Sequence, residues 1–277
     1  MSEKLLIGRT IDTGSWVHSL DPRAKMIAMM LYVVIIIMSN TWLEMVSVLI
    51  FSIAVIASTR ISLKYYVKAA KPLWILMVFI FLVQCLKVED KNGIVLLSIG
   101  SWNLYFEGFR LGLFAVLRMV FLVTFTAILT FTTTPGRLNQ GLEGVLKPLH
   151  WIKVSPDRLT LMISIALRFI PTILEETQII LKAQASRGAD LKELPWKEKG
   201  KMLVSLLVPV TVGAFRRAED LVHSMEARGF RVREPRSKYH RLTWRRRDTV
   251  FIAIFIMVLI AVGWMSNSGS GNIWTLT

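Results

Sequence analysis

A single cysteine, Cys85, is all the thiol chemistry the chain holds. One thiol excludes an intrachain disulfide and a cysteine-ligated metal cluster, and it leaves the redox compartment undecided. The four histidines, His18, His150, His223 and His240, lie far apart, without the spacing that brings imidazoles onto one metal ion. No Gly-x-x-x-x-Gly-Lys-Ser/Thr loop exists. Gly200-Lys201-Met202 comes nearest and lacks both the spacing and the hydroxyl, so the chain is not expected to cradle nucleotide phosphates itself. A Gly-x-Ser-x-Gly elbow is absent too. Glu175 and Glu176 are adjacent and point about 100° apart on a helix, which reads as solvated charge rather than a carboxylate pair. These absences predict a non-catalytic chain with no metal and no cofactor of its own. The opening stretch, MSEKLLIGRTIDTGSW, holds no apolar core followed by small residues, so no cleavable signal is expected and the first hydrophobic helix directs insertion.

Charge is scarce as well, at 19% of the residues, whereas 53% are hydrophobic and the mean hydropathy is +0.51. The apolar residues come in blocks rather than in alternation, as in spanning helices. Five segments are long enough when flanking residues are included: Met26–Met38, Leu43–Ser58, Leu73–Leu86, Leu111–Phe131 and Thr249–Met265. Asp21-Pro22 predicts an N-cap and a first-turn proline ahead of the first of them. Ser39-Asn40-Thr41-Trp42 predicts a tight turn after it, and Pro72 the start of the third. The net charge of +15 raises nucleic acid as a partner, but its distribution favours a bilayer instead. Residues 132–247 hold 22 Lys/Arg against 11 Asp/Glu. Arg60, Lys64, Lys68 and Lys71 crowd the loop at 59–72, which has no acid. The first turn and the tail after Met265 hold no basic residue. Five spans with the N-terminus inside and the C-terminus outside put every basic loop in the cytoplasm. Trp42 and Trp264 then sit at the outer interface and Trp244 at the inner one. Arg118, well inside the fourth span, reads as a cation that snorkels or pairs within the bundle, with Glu44 or Glu107 as candidate partners.

Between spans four and five lie two long helical patterns. One runs from Asp157 to Arg187, with Leu159, Met162, Ile163, Ala166 and Ile170 among its apolar positions and Pro171 expected to kink or divide it. The other runs from Trp196 to Arg228 around the uncharged MLVSLLVPVTVGAF, and a shorter helix is expected over 137–146. Reading the two as extra spans would put the basic stretch 182–201 outside and Arg168 in mid-bilayer, against the charge bias. Their apolar faces need cover from the membrane surface, each other or a partner. Both helices end in a small residue, Arg and Gly: Ser186-Arg187-Gly188 and Ala227-Arg228-Gly229. Once, that is a generic helix stop. Twice, at the tips of two long helices, it suggests a pair of prongs. Each arginine offers a rigid, permanently charged fork, suited to a carboxylate or to backbone carbonyls in a cleft of a two-lobed engine.

The sequence resembles the transmembrane T component (EcfT) of energy-coupling factor transporters, a class of ATP-binding cassette importers for vitamins and trace nutrients. The resemblance rests on HSLDPRAK (18–25), TTTPGRLNQGLEGVLKPL (132–149), LMISIALRFIPTILEET (161–177), AQASRGAD and SMEARGF. It implies an all-α integral membrane protein of about five transmembrane helices plus a cytoplasmic domain of long crossing amphipathic coupling helices. The expected division is 1–131 for spans one to four, 132–247 for the coupling domain, and 248–277 for the last span and outer tail. The resemblance implies that Ser186, Arg187, Gly188, Ala227, Arg228 and Gly229 dock into two ATPase subunits, a heterodimer, and that ATP is hydrolysed there. Serine at 186 departs from the usual alanine and is nearly as small. It also implies that the apolar surface of the coupling helices receives a membrane-embedded substrate-binding S component. Leu159, Met162, Ile163, Ala166, Ile170, Leu203, Leu206, Leu207, Val210 and Ala214 are the residues expected there. Plasma-membrane location follows, and selectivity for the vitamin belongs to the S component. The competing classes are a self-sufficient secondary transporter or channel, for which no membrane repeat or polar mid-membrane site is visible, and a membrane enzyme or the scaffold of another complex.

Overall fold

A computed structural model describes residues 14–87, 95–99, 102–146, 156–186, 195–231 and 242–267. The chain forms two compact units, one of Met1–Pro156 with Leu242–Thr277 and one of Asp157–Arg241. The first holds α1 (Pro22–Met38), α2 (Trp42–Thr59), α3 (Leu63–Ala70), a 3-10 turn (Lys71–Leu73), α4 (Trp74–Lys87), strands β1 (Val95–Ile99) and β2 (Trp102–Tyr105), α5 (Phe106–Thr132), α6 (Pro135–Val145) and α9 (Arg246–Asn267). The second holds α7 (Pro156–Ser186, which enters from the last residue of the first unit) and α8 (Trp196–Ala227). Four described helical stretches are long and apolar enough to cross a membrane: Trp42–Thr59, Leu63–Leu86, Phe106–Thr132 and Arg246–Asn267. The remaining expected span lies on α1, which has 17 residues. The protein is an all-α membrane protein to which one short hairpin is added.

Local chemistry sets the helix starts. Asp21 Oδ1 accepts from the Arg23 amide at 2.9 Å and Pro22 opens α1, as the sequence predicts. Thr41 and Glu44 form a reciprocal capping box at the start of α2. Glu44 is fully buried, and its Oε2 accepts from the amides of Asn40 at 2.7 Å and Thr41 at 3.1 Å. Thr134 caps α6 ahead of Pro135. In lipid an apolar side chain gains little by burial against its neighbours, so such polar closures and close packing carry the fold.

Around Tyr32 the packing is aromatic. Its ring stacks on Phe125 at 4.4 Å, while Phe255 meets Phe51 at 4.9 Å and Phe125 at 5.5 Å, so α1, α2, α5 and α9 share one centre. The Tyr32 hydroxyl bonds Ser52 Oγ, which itself donates to the Val48 carbonyl at 2.6 Å, so no polar atom of that pair is stranded in the core.

Two cations fasten α1 along α5. Lys25 Nζ donates to the Thr132 carbonyl at 3.1 Å, to Thr132 Oγ1 at 3.3 Å and to Thr133 Oγ1 at 3.1 Å. It thereby satisfies the C-terminal end of α5, whose carbonyls have no intrahelical donor. At the other end of α1, Arg118 Nη2 donates to the Ser39 carbonyl and to Asn40 Oδ1 at 2.9 Å. Arg118 is therefore paired within the bundle, but to the α1–α2 turn. Neither expected carboxylate is its ion-pair partner among the described residues: Glu107 pairs with Arg110 at 2.9 Å, and Glu44 is engaged by the turn amides. The turn carbonyl was available because the helix it ends cannot use it.

α3, the 3-10 turn and α4 run as one antiparallel rod beside α5. Tyr66 packs on Phe131, Phe81 on Gly112 and Cys85 on Gly108, in reverse order along the two elements. At Gly108 the approach is backbone to backbone: a Cβ there would sit 3.0 Å from the Cys85 carbonyl oxygen. Between α4 and α5, β1 and β2 pair antiparallel, with Ile99 opposite Trp102 and Leu97 opposite Leu104. Gly100-Ser101 between two runs of β-formers is the hairpin signal in the sequence. α6 packs on α1 and belongs to the first unit, whereas the sequence division at residue 132 grouped it with α7 and α8. Glycine permits that contact, since a Cβ on Gly141 would lie 2.9 Å from Pro22 Cβ.

Gly108→Leu is expected to push α4 off α5 and to cost roughly 1–3 kcal/mol, the usual range for overpacking. A thermal melt in detergent checks this, and an unchanged midpoint would refute the close approach. Lys25→Leu leaves the end of α5 without its donor and is expected to lower the same midpoint by the equivalent of about 1–3 kcal/mol, while Lys25→Arg retains part of it.

Candidate functional site

α8 ends in a fully formed Schellman turn. The Phe230 amide donates to the Met225 carbonyl at 3.0 Å and the Gly229 amide to the Glu226 carbonyl at 2.8 Å. Gly229 takes φ +73°, a left-handed conformation that a side chain would strain. Arg228 is the C-cap between Ala227 and Gly229 and is exposed. Its charge lies beside the negative end of a 32-residue helix, where a cation is favoured. With its terminal carbonyls satisfied by backbone amides, the tip leaves the guanidinium unspent on helix capping. The motif thus fixes the direction in which a forked cation is offered.

α7 ends at Ser186, whose Oγ donates to the Lys182 carbonyl at 3.1 Å. Arg187 and Gly188, the other two expected docking residues of this tip, lie outside the described residues. Pro171 was expected to kink or divide the helix; α7 is continuous over 31 residues across it, and α8 likewise carries Pro209 in its interior.

The two helices meet where Glu176 faces Arg217. Their carboxylate and guanidinium are 2.8 Å apart, and each side chain is about one-third exposed or less. Gly213 makes this approach possible, because a Cβ there would lie 2.8 Å from Glu176 Oε1. Glu176 is therefore a member of an interhelical pair and not the solvated charge that the sequence reading took it for; Glu175 is exposed. The signal available beforehand was Gly213 and Arg217 one turn apart on the same face of α8.

The ten apolar positions expected to receive a partner divide. Leu159, Met162, Ala166, Ile170, Leu203 and Leu207 are exposed. Ile163, Leu206, Val210 and Ala214 are half-buried. On α8 the half-buried set shares its face with Gly213 and Arg217, the face turned toward α7. The open surface of α8 includes the expected Leu203 and Leu207 and extends over Val204, Val208 and Phe215, each of the last three 60% exposed or more. Three- and four-residue spacing marks both stripes equally in an uncharged segment, so only the position of the crossing tells them apart. Among the described residues no three His, Cys, Asp or Glu side chains gather as a metal site would require.

Comparison with known proteins gives the same direction throughout. Residues 13–239 match the model of the CbiQ family, described as cobalt transport protein. A Bacillus subtilis (strain 168) protein named energy-coupling factor transporter transmembrane protein EcfT is 40% identical over 258 residues, covering 93% of this chain and 97% of its own. The protein of that name from Listeria innocua is 35% identical over 265 residues, covering 96% and 99% respectively. A third, from Streptococcus thermophilus, is 37% identical over 259 residues, covering 93% and 97%. With a family match over most of its length and relatives aligned almost end to end, the chain belongs to the CbiQ family and, within it, to the energy-coupling factor transporter transmembrane proteins, EcfT.

Proposed function

We propose that this chain is the coupling subunit of an ATP-driven importer: it carries the motion of two ATPase subunits to a membrane-embedded S component that holds a vitamin or other micronutrient. The observation that carries the reading is the tip of α8, where a Schellman turn spends the backbone and leaves Arg228 exposed on a fixed, narrow helix end. Ser186-Arg187-Gly188 supplies the second prong in the sequence. A prong of this kind suits a cleft lined with carboxylate or carbonyl oxygens. Two of them call for two such clefts, and the paired ATPase subunits of an ATP-binding cassette importer, a heterodimer, provide them. Hydrolysis takes place in those subunits, and this chain binds no nucleotide and no metal.

The open apolar stripe of α8 and the exposed face of α7 (Leu159, Met162, Ala166 and Ile170) receive the S component. That assignment explains why such residues stay uncovered on helices of the second unit, whose surface is otherwise highly charged. The Glu176–Arg217 pair joins the two helices where Gly213 lets them close in, so a push at one tip reaches the other helix. The basic residues between 132 and 247 keep this part in the cytoplasm, with the N-terminus on the same side and the C-terminus outside. Charge scarcity at the α1–α2 turn fits the outer side of the plasma membrane.

Joint Arg187→Glu and Arg228→Glu substitution is expected to abolish co-purification of the ATPase subunits while membrane insertion continues; undiminished co-purification rejects the docking role. Leu207→Glu together with Val208→Glu is expected to release the S component and keep the ATPases. Co-purification of both from detergent measures this, and loss of the ATPases with retention of the S component reverses the assignment of tip and stripe.

A further inference from the structure

The side of the α3–α4 rod turned away from α5 serves neither the aromatic core nor the helix tips. From Leu63 to Leu86 the rod forms one candidate span, and of the four it is the least covered: 6% of its apolar window is buried inside the protein, against 33% for α2 and for α5. Its covered positions recur every three to four residues, at Tyr66, Ala69, Leu73, Met77, Phe81 and Cys85, and Tyr66, Phe81 and Cys85 meet α5. Half a turn away stand Lys64, Lys68 and Lys71, on one line by their spacing. The same line continues through Ile75, Phe79, Leu82 and Leu86, and every side chain in it is exposed.

The row changes character once. Its first three side chains end in ammonium groups, and the four that follow are hydrocarbon. Tyr66 packs on Phe131, one residue from the end of α5, so the change falls near one end of the span. Among the described residues none of the three lysines forms an ion pair, and the segment 59–87 contains no acidic residue. Arg60 adds a fourth cation to this segment. It takes φ +56°, the one left-handed residue other than glycine among the described residues, so a charge stands where the backbone alone would select glycine. Ammonium groups at the edge of a span demand a counter-charge or a route to the headgroups.

We propose that this outward row binds an anionic phospholipid of the adjoining leaflet, with its phosphate on Lys64, Lys68 and Lys71 and an acyl chain along 75–86. The lengths agree. From residue 75 to residue 86 the helix rises roughly 16 Å, and one leaflet contributes about 15 Å of hydrocarbon, half of the bilayer core. Lysine stems reach from the edge of that layer to the phosphates, and a cluster of about four basic residues beside a span draws acidic headgroups. An acidic protein segment would satisfy the lysines but not the apolar row that continues from them. An apolar partner helix would cover that row and leave three ammonium groups without counter-charge. One molecule with an anionic head and a hydrocarbon tail satisfies both. Only the membrane unit is involved, and Arg187 and Arg228 take no part.

The test uses the full chain in phosphatidylcholine nanodiscs doped with a phospholipid that carries a photoactivatable acyl chain, in phosphatidylglycerol and phosphatidylcholine versions, with labelled peptides mapped by mass spectrometry. At equal mole fraction the phosphatidylglycerol probe is expected to label 74–87 at least about fivefold more than the phosphatidylcholine probe, since one basic residue beside an anionic surface contributes a factor of about five. Around Trp264, at the far end of α9 and with no basic residue after Arg247, the two probes should label equally. Lys64→Gln with Lys68→Gln and Lys71→Gln should lower the ratio at 74–87 to below about twofold, and the same three positions changed to Arg should keep it. The unaltered chain gives a second reading: salt at about 1 M, where the Debye length is about 3 Å, should at least halve its ratio. Equal labelling of 74–87 by the two probes overturns the proposal. So does a preference that survives the Lys→Gln variant or is unmoved by salt. In the assembled transporter, loss of labelling at 74–87 by both probes shows a protein occupant and overturns it as well.

Discussion

Two cationic side chains hold α1 to α5, and the membrane unit is organised by where they attach. Lys25 reaches the last residues of α5, and Arg118 reaches the turn that ends α1. The length of α5 between the two attachments, Arg118 to Thr132, is roughly 21 Å at helical rise, and α1 from Lys25 to Ser39 has the same span. In water this agreement would add little. In lipid, where hydrocarbon neighbours compete evenly with protein ones, a charge-assisted hydrogen bond to a helix-end carbonyl is among the few contacts that set register. The aromatic cluster around Tyr32 lies between the two fixed points and packs in the register they define.

The second unit solves a different problem. Its two helices have to keep apolar surface open and still hold their relation to each other. Gly213 removes the bulk at the crossing, and Glu176 with Arg217 supplies direction without hydrophobic area. A partly exposed pair of this kind contributes about 1 kcal/mol or less, enough to favour one arrangement and little enough to permit another. The tip of α8 is built the opposite way, with both Schellman hydrogen bonds in place and glycine at the left-handed position.

Much of this could be read from residue order. Block hydrophobicity located α1, α2, α4, α5 and α9, while α3 lies in the segment 59–72 that reads as a loop because its lysines interrupt the apolar run; the three-four spacing placed the bounds of α8 within a residue, because helix starts and stops are written locally, as in Asp21-Pro22 and Ala227-Arg228-Gly229. What could not be read depends on which elements meet. Arg118 reads as a cation that snorkels or pairs within the bundle, yet its acceptors are a carbonyl and a side-chain amide of a turn 78 residues away or more, and no side-chain pattern announces a carbonyl. Leu206 and Val210 looked the same as Leu203 and Leu207 until the crossing at Gly213 separated them. α6 was drawn into the first unit by Gly141 against Pro22, a contact between residues 119 positions apart.

The central claim is that the helix tips are lodged in the ATPases. The measurement that addresses it most directly is a density map of the chain purified with its transporter subunits, at a resolution that shows side chains. The account predicts the guanidinium groups of Arg187 and Arg228 each enclosed in a cleft of a different ATPase subunit and hydrogen-bonded to oxygen atoms there. Either group found in open solvent in the complete assembly, or on the side of the membrane away from the ATPases, contradicts it.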